Sequence, residues 1–235
     1  GDDDDDGYVV EPIYGLAYDS ISDEYKIFMI DLNLPKDDYF QILALKNGSW
    51  RIIDTTSAGR ISIILMLFRG TRCLSFIQGA FHWLGYLSSK FFLVSFNISS
   101  EMFGRIPLPE IVSLQLYTSM TVGVDVDVST LTGKLGFYYK ADEAFHFWVM
   151  KNYGIEDSWM KLFTIPSTGV YTIIPKYIFN NAVLVCFRIN RITTQFAFRI
   201  ISGGLMSPID YHETDAAFID GNGFVFTESL ISPRD

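Results

Sequence analysis

The sequence predicts an all-β fold, a kelch-like antiparallel β-propeller, and three observations predict it. Short runs rich in Val, Ile, Phe and Tyr alternate apolar with polar side chains, the period of a half-buried strand. Glycine, proline and Asn-Gly turns cut these runs roughly every 8 to 12 residues. A bulky aromatic returns at matching places, Trp50, Phe103 and Trp159, a period of roughly 50 residues that fits four-stranded propeller blades. A β-sandwich would supply the strands but not the recurrence of one hairpin. No segment competes well as a helix.

The most informative stretch is Trp148 to Ile165, WVMKNYGIEDSWMKLFTI. It reads as two strands joined by a tight connection, with Asn152, Gly154 and Asp157 supplying the turn. In chain order, a first unit is YGLAYD, YKIFMID, FQILALK and SWRIID, its last pair joined at Asn47-Gly48, a strong hairpin signal. A second unit is CLSFI, AFHWLGYL, FFLVSFN and MFGRI. TVGVDVD, KLGFYY, AFHFWVM and SWMKLFTI form a third. The fourth has YTIIPKYIF, AVLVCFRI and TQFAFRII, with a less clear last strand after Gly203-Gly204 and a partial fifth unit from Ala216 onward. The ring is therefore expected to be incomplete, less stable than a closed one and prone to edge pairing.

A chain of 235 residues, 49% hydrophobic and 16% aromatic, can bury one large core. Residues 1–12 read as an acidic disordered tail and 13–235 as a single domain. The Asp2–Asp6 run lacks the glycine and ligand spacing of a calcium loop, and it is the opposite of a basic leader segment. The net charge of −9 disfavours nucleic acid and favours a basic partner. Cys73 to Ser89 carries no formal charge, but Gln78, Gly79, His82 and Gly85 interrupt it at strand-like spacing, so no membrane partner is expected. Cys73 and Cys186 sit inside apolar alternation and read as small buried hydrophobes, in keeping with a reducing, cytoplasmic or nuclear compartment.

The string around Trp148 to Ile165 resembles a hallmark of the plant F-box-associated domain, found in F-box proteins that include the S-locus F-box group. GLAYDSISDEYKI from Gly15, GAFHWL from Gly79, LVSFNISSEMFGRIPLP from Leu93 and FVFTESLISP from Phe224 are similar to further elements of that family in the same order. The resemblance implies a domain that recognises a target protein for an SCF-type ubiquitin ligase, whose Skp-type adaptor and cullin are met only through an F-box. The F-box helices and the Trp-Asn-Pro element of the family are not found in this chain. Asn97 stands where the family commonly has Asp, keeping a turn-capping side chain. A free-standing or decoy binding module is the alternative reading, and a propeller enzyme or sugar binder a third.

No catalytic constellation is evident. His82, His146 and His212 lie far apart, and the first two sit in aromatic-rich strands where a packed histidine bonding backbone is the simpler reading. No metal-ligand spacing occurs, so neither a metal nor another cofactor is expected. Asp125 and Asp127 share a strand face, most simply a solvated one. Ser20, Ser158 and Ser229 lack a nucleophile elbow. Gly203-Gly204 and Gly221-Asn222-Gly223 are turn glycines rather than phosphate loops. Trp50, Trp83, Trp148 and Trp159 are assigned to blade packing rather than to a ligand cage.

Recognition is therefore placed on surface connections. Those between the second and third strands of a blade, and those leading to the next blade, open on one rim: Asp31 to Tyr39, Thr55 to Arg60, Leu87 to Lys90, Pro107 to Thr118 and Lys140 to Glu143. Asp37, Asp38, Arg60, Tyr117, Lys140 and Asp142 are the candidate partner contacts.

Overall fold

A computed structural model describes the chain at residues 11–35, 39–55, 74–88, 90–119, 126–131, 133–167, 170–179, 182–188, 195–202 and 217–220. Sheet 1 comprises β1 (Ile13–Asp19), β2 (Glu24–Ile30), β3 (Phe40–Ala44) and β4 (Ser49–Ile52), hydrogen-bonded in chain order. Sheet 2 comprises β5 (Ser75–Ile77), β6 (Ala80–Leu87), β7 (Lys90–Asn97) and β8 (Phe103–Pro107), also in chain order. After α1 (Glu110–Ser119) come β9 (Val126–Leu131), β10 (Lys134–Ala141), β11 (Ala144–Met150) and β12 (Trp159–Pro166) of sheet 3. Sheet 4 is β13 (Thr172–Phe179), β14 (Ala182–Arg188), β15 (Gln195–Ser202) and β16 (Ala217–Asp220). Four consecutive sheets of four strands make this the repeat of propeller blades among the described residues.

Two details correct the sequence reading. Ala217–Asp220 pairs antiparallel with β15, Gln195 facing Asp220, so it completes the fourth sheet instead of starting a fifth. The Pro107 to Thr118 connection contains a helix. Pro109 presents its carbonyl to Val112 N at 2.9 Å and Ser113 N at 3.1 Å, and Glu110 puts a carboxylate in the first turn, where the helix dipole favours it. Val112 and Leu116, four apart, are both buried and share a helix face, while Ser113 Oγ donates to Phe91 O at 3.4 Å. EIVSLQLYTS also alternates like a strand, which hides this helix in a period-2 reading.

The chain forms two compact units, one of residues 1–139 with 148–160 and the other of 140–147 with 161–235. The first is held by aromatic packing between sheets 1 and 2. Phe28 stacks on Phe96 at 4.3 Å, Phe81 at 5.7 Å and Trp83 at 5.8 Å, and Phe40 meets Phe103 edge-on at 5.1 Å. Ile30, Ile42, Val94 and Ile98 fill the same cluster. Each buried Phe is worth roughly 1.5–3 kcal/mol, so this cluster outweighs any polar contact in the unit. Gly15 is the place where β1 accepts it, because a Cβ there would overlap the Phe81 ring.

In the second unit Phe147 packs on Phe163 at 4.5 Å. β13 slips its register between Pro175 and Tyr177, where proline has no N–H to give the ladder. Ile173, Ile174 and Val185 are buried there.

Candidate functional site

Four of the motif segments named above prove to be fastenings, and FVFTESLISP lies outside the described residues. In GLAYDSISDEYKI, Asp19 and Lys26 are a buried pair with Oδ2 and Nζ 2.7 Å apart. Burial alone would raise the Asp19 carboxyl, but donors from Lys26, Ser99, Ser22 and Ile21 N hold it well below the usual carboxylate range. Ser22 Oγ reaches Oδ2 at 2.8 Å, Ser99 Oγ reaches Oδ1 at 2.5 Å, and Lys26 also donates to Ile98 O at 3.4 Å. The β1–β2 turn is thus tied to the β7–β8 turn. Asn97 caps that second turn by accepting from Ser99 N and Ser100 N, the role its sequence position suggested.

The hairpin from Trp148 to Met160 is tied to sheet 2 by two side chains. Tyr153 Oη lies 2.8 Å from His82 Nε2, and Trp159 Nε1 donates to Pro107 O at 2.9 Å. Its turn is closed by Ser158, whose Oγ accepts from Asn152 N at 3.1 Å and donates to Asn152 O at 2.8 Å. Gly154 sits at φ +80, a conformation that favours glycine. Burial pushes His82 down to about 4, so it is neutral at pH 7. It is a packed histidine that meets the Ser75 and Ala80 backbone, as expected, and a phenol besides. His146 bonds the Ala141 carbonyl at 3.2 Å and Thr164 Oγ1 at 3.3 Å, which makes it a packing histidine as expected. Asp127 accepts from Val128 N at 2.7 Å. His212 and Asp125 lie outside the described residues, among which no group of three His, Cys, Asp or Glu could hold a metal ion, and no helix is long and apolar enough to cross a membrane.

Of the six predicted contacts, Asp37, Asp38 and Arg60 lie outside the described residues, and Tyr117 falls on α1 rather than in a loop. Lys140 and Asp142 lie together at the β10–β11 turn. Asp142 and Glu143, both exposed, occupy its two central positions at φ 50 and 58, the left-handed pair that a two-residue hairpin requires. Glu143 O accepts from Ser167 N at 2.8 Å. The Lys140 ammonium stands 5.3 Å from the centre of the Phe145 ring and donates to Val170 O at 3.4 Å. The turn thus presents two exposed carboxylates close in sequence to an anchored ammonium.

The sequence reading missed one surface. Trp83 and Trp159 are buried as expected, but Trp50 is 43% exposed. It belongs to an open face of sheet 1 that carries Tyr14, Leu16, Tyr18, Tyr25 and Ile52, with Leu16 62% and Tyr25 54% exposed. Cross-strand pairs make the face continuous, Tyr18 opposite Tyr25, Leu16 opposite Ile27, Ile27 opposite Leu43 and Leu43 opposite Trp50. The signal was legible in YGLAYD, where the bulky residues alternate with Gly15, Ala17 and Asp19. The small side belongs to the core because Phe81 presses on Gly15.

Consecutive four-stranded antiparallel sheets, fastened turn to strand, define a β-propeller. Residues 10–188 match the F-box associated beta propeller domain, and the chain belongs to that family. It is 29% identical over 181 residues to F-box protein CPR1 of Arabidopsis thaliana, covering 68% of this chain and 41% of that protein. An F-box/kelch-repeat protein of the same plant is 28% identical over 157 residues, covering 65% of this chain and 40% of its own length. The chain thus spans about two fifths of the curated relatives it matches.

Proposed function

We propose that this chain recognises a target protein on behalf of an SCF-type ubiquitin ligase, by binding and with no chemistry of its own. The observation that carries the reading is the family match over residues 10–188, which takes in sheets 1 to 3 and the first two strands of sheet 4. The β10–β11 turn, with Lys140 and Asp142, is part of the contact surface. Its left-handed pair and the anchored ammonium hold the charges before a partner arrives, which lowers the ordering cost of binding. The test is capture by the immobilised chain and by a Lys140→Glu, Asp142→Lys variant. A defined protein should be retained by the first, lost by the second at unchanged melting temperature, and turned over more slowly when cullin activity is blocked. Retention by both forms would remove the turn from the contact surface. Turnover indifferent to cullin activity would refute the coupling to a ligase.

A further inference from the structure

The connection from β11 to β12 is fully displayed and yet held from beneath. Residues 151–157 are all exposed, Ile155 at 55% and Tyr153 at 39%. Gly154 N donates to Met150 Sδ at 3.0 Å, Ile155 N to Asn152 O at 3.1 Å, and Ser158 N to Ile155 O at 3.0 Å, while Ser158 Oγ lies 2.7 Å from the same carbonyl. With Tyr153 fixed on His82 and Trp159 on the Pro107 carbonyl, the stretch between them is seated on sheet 2 from both sides. Ordering an exposed connection costs conformational entropy. A loop that has already lost that freedom binds a partner at a smaller further cost.

The held stretch displays Ile155, Glu156 and Asp157. On the β1–β2 and β7–β8 turns the exposed acids are matched within the chain, Asp23 with Lys46 and Glu101 with Arg51. Glu156 and Asp157 are in no ion pair among the described residues, and Lys151 is the sole cation between Trp148 and Met160, so the hairpin keeps a net negative charge beside its apolar tip. We propose that this tip docks a basic protein segment, one that sets an apolar side chain against Ile155 and a lysine or arginine against Glu156 and Asp157. It is a surface apart from the β10–β11 turn and does not rest on the role given to that turn. Here the carboxylates select and steer the partner, and salt weakens the complex by screening them.

The test is an array of synthetic peptides graded in lysine, arginine and leucine content, probed with the 235-residue chain, after which the best binder is titrated in solution. Bound members should combine a basic with an apolar residue, and binding should weaken as salt rises. Ile155→Asp separates docking from the general attraction of a chain of net charge −9 for cations. It adds a negative charge, so general attraction would strengthen, whereas docking at the tip should weaken by at least about tenfold at unchanged melting temperature. Glu156→Lys with Asp157→Lys should lose the peptide as well, and the Lys140→Glu, Asp142→Lys variant should keep it. An array with no preference for basic members, an Ile155→Asp variant that binds as well as wild type or better, or loss of the peptide in the β10–β11 variant would overturn the proposal.

Discussion

Tyr153 and His82, far apart in the sequence, share a hydrogen bond of 2.8 Å between Oη and Nε2, with the phenol ring edge-on to the imidazole at 5.6 Å. The contact joins the hairpin that follows β11 to the middle of sheet 2. Two motif segments recognisable in the sequence are thereby assigned to one fastening rather than to two sites.

Tyr153→Phe keeps the ring contact and removes the hydroxyl, leaving a buried imidazole nitrogen without its partner. The expected cost is about 1–3 kcal/mol. Urea denaturation should show it as a lower midpoint with an unchanged slope, and a midpoint equal to wild type would show that the bond contributes nothing net.

Acid should weaken the first unit through His82. His82 has its folded value depressed from 6.5 to about 4 by burial, so the unfolded chain takes up the proton first. Its contribution is complete above the unfolded value and is lost as pH falls from 6.5 towards 4. In full it amounts to something on the order of 3 kcal/mol. In the second unit His146, lowered by burial and by Lys161, acts in the same direction. Melting temperature measured across this window should fall with pH, and His82→Gln should flatten the slope.

Removing one partner of the Asp19–Lys26 pair strands a buried charge. Lys26→Met is expected to cost about 3–5 kcal/mol, and Asp19→Asn somewhat less because Ser22, Ser99 and Ile21 N remain as donors. The depressed Asp19 value means that its share of stability is present above the ordinary value of 3.8 and lost as pH falls below it. Chemical denaturation of both variants at neutral pH and at pH near 3 checks the order and the sign.

Gly15→Ala forces a methyl into the Phe81 ring. That ring is itself buried between Phe28 and Phe76 and has little room to give. A loss of about 1–3 kcal/mol is expected, against the slight gain that alanine brings in an open strand. Calorimetry decides the sign.

Strand positions, the repeat and the turn chemistry were legible in the sequence because they are local. Alternation with period 2 and turn signals such as Asn47-Gly48 depend on neighbours a few residues away. The family was legible too, through motifs such as GLAYDSISDEYKI and the Trp148 hairpin. α1 was not, because EIVSLQLYTS has almost no helical amphipathicity and only the burial of Val112 and Leu116 shows the face it covers.

The sequence by itself determined that this chain is a run of four-stranded antiparallel units and which residues close their turns. Only the tertiary structure decided what each unit does with its faces. YGLAYD offers an aromatic side and a small side, and the aromatic side is the natural choice for the core until Phe81 is seen resting on Gly15. Likewise Asp19 and Lys26 could be surface charges until Ser99 and the Ile98 carbonyl, more than seventy residues away, enclose them. Burial is a property of what packs against a residue, and that neighbour is set by contacts between distant segments, which no local pattern contains.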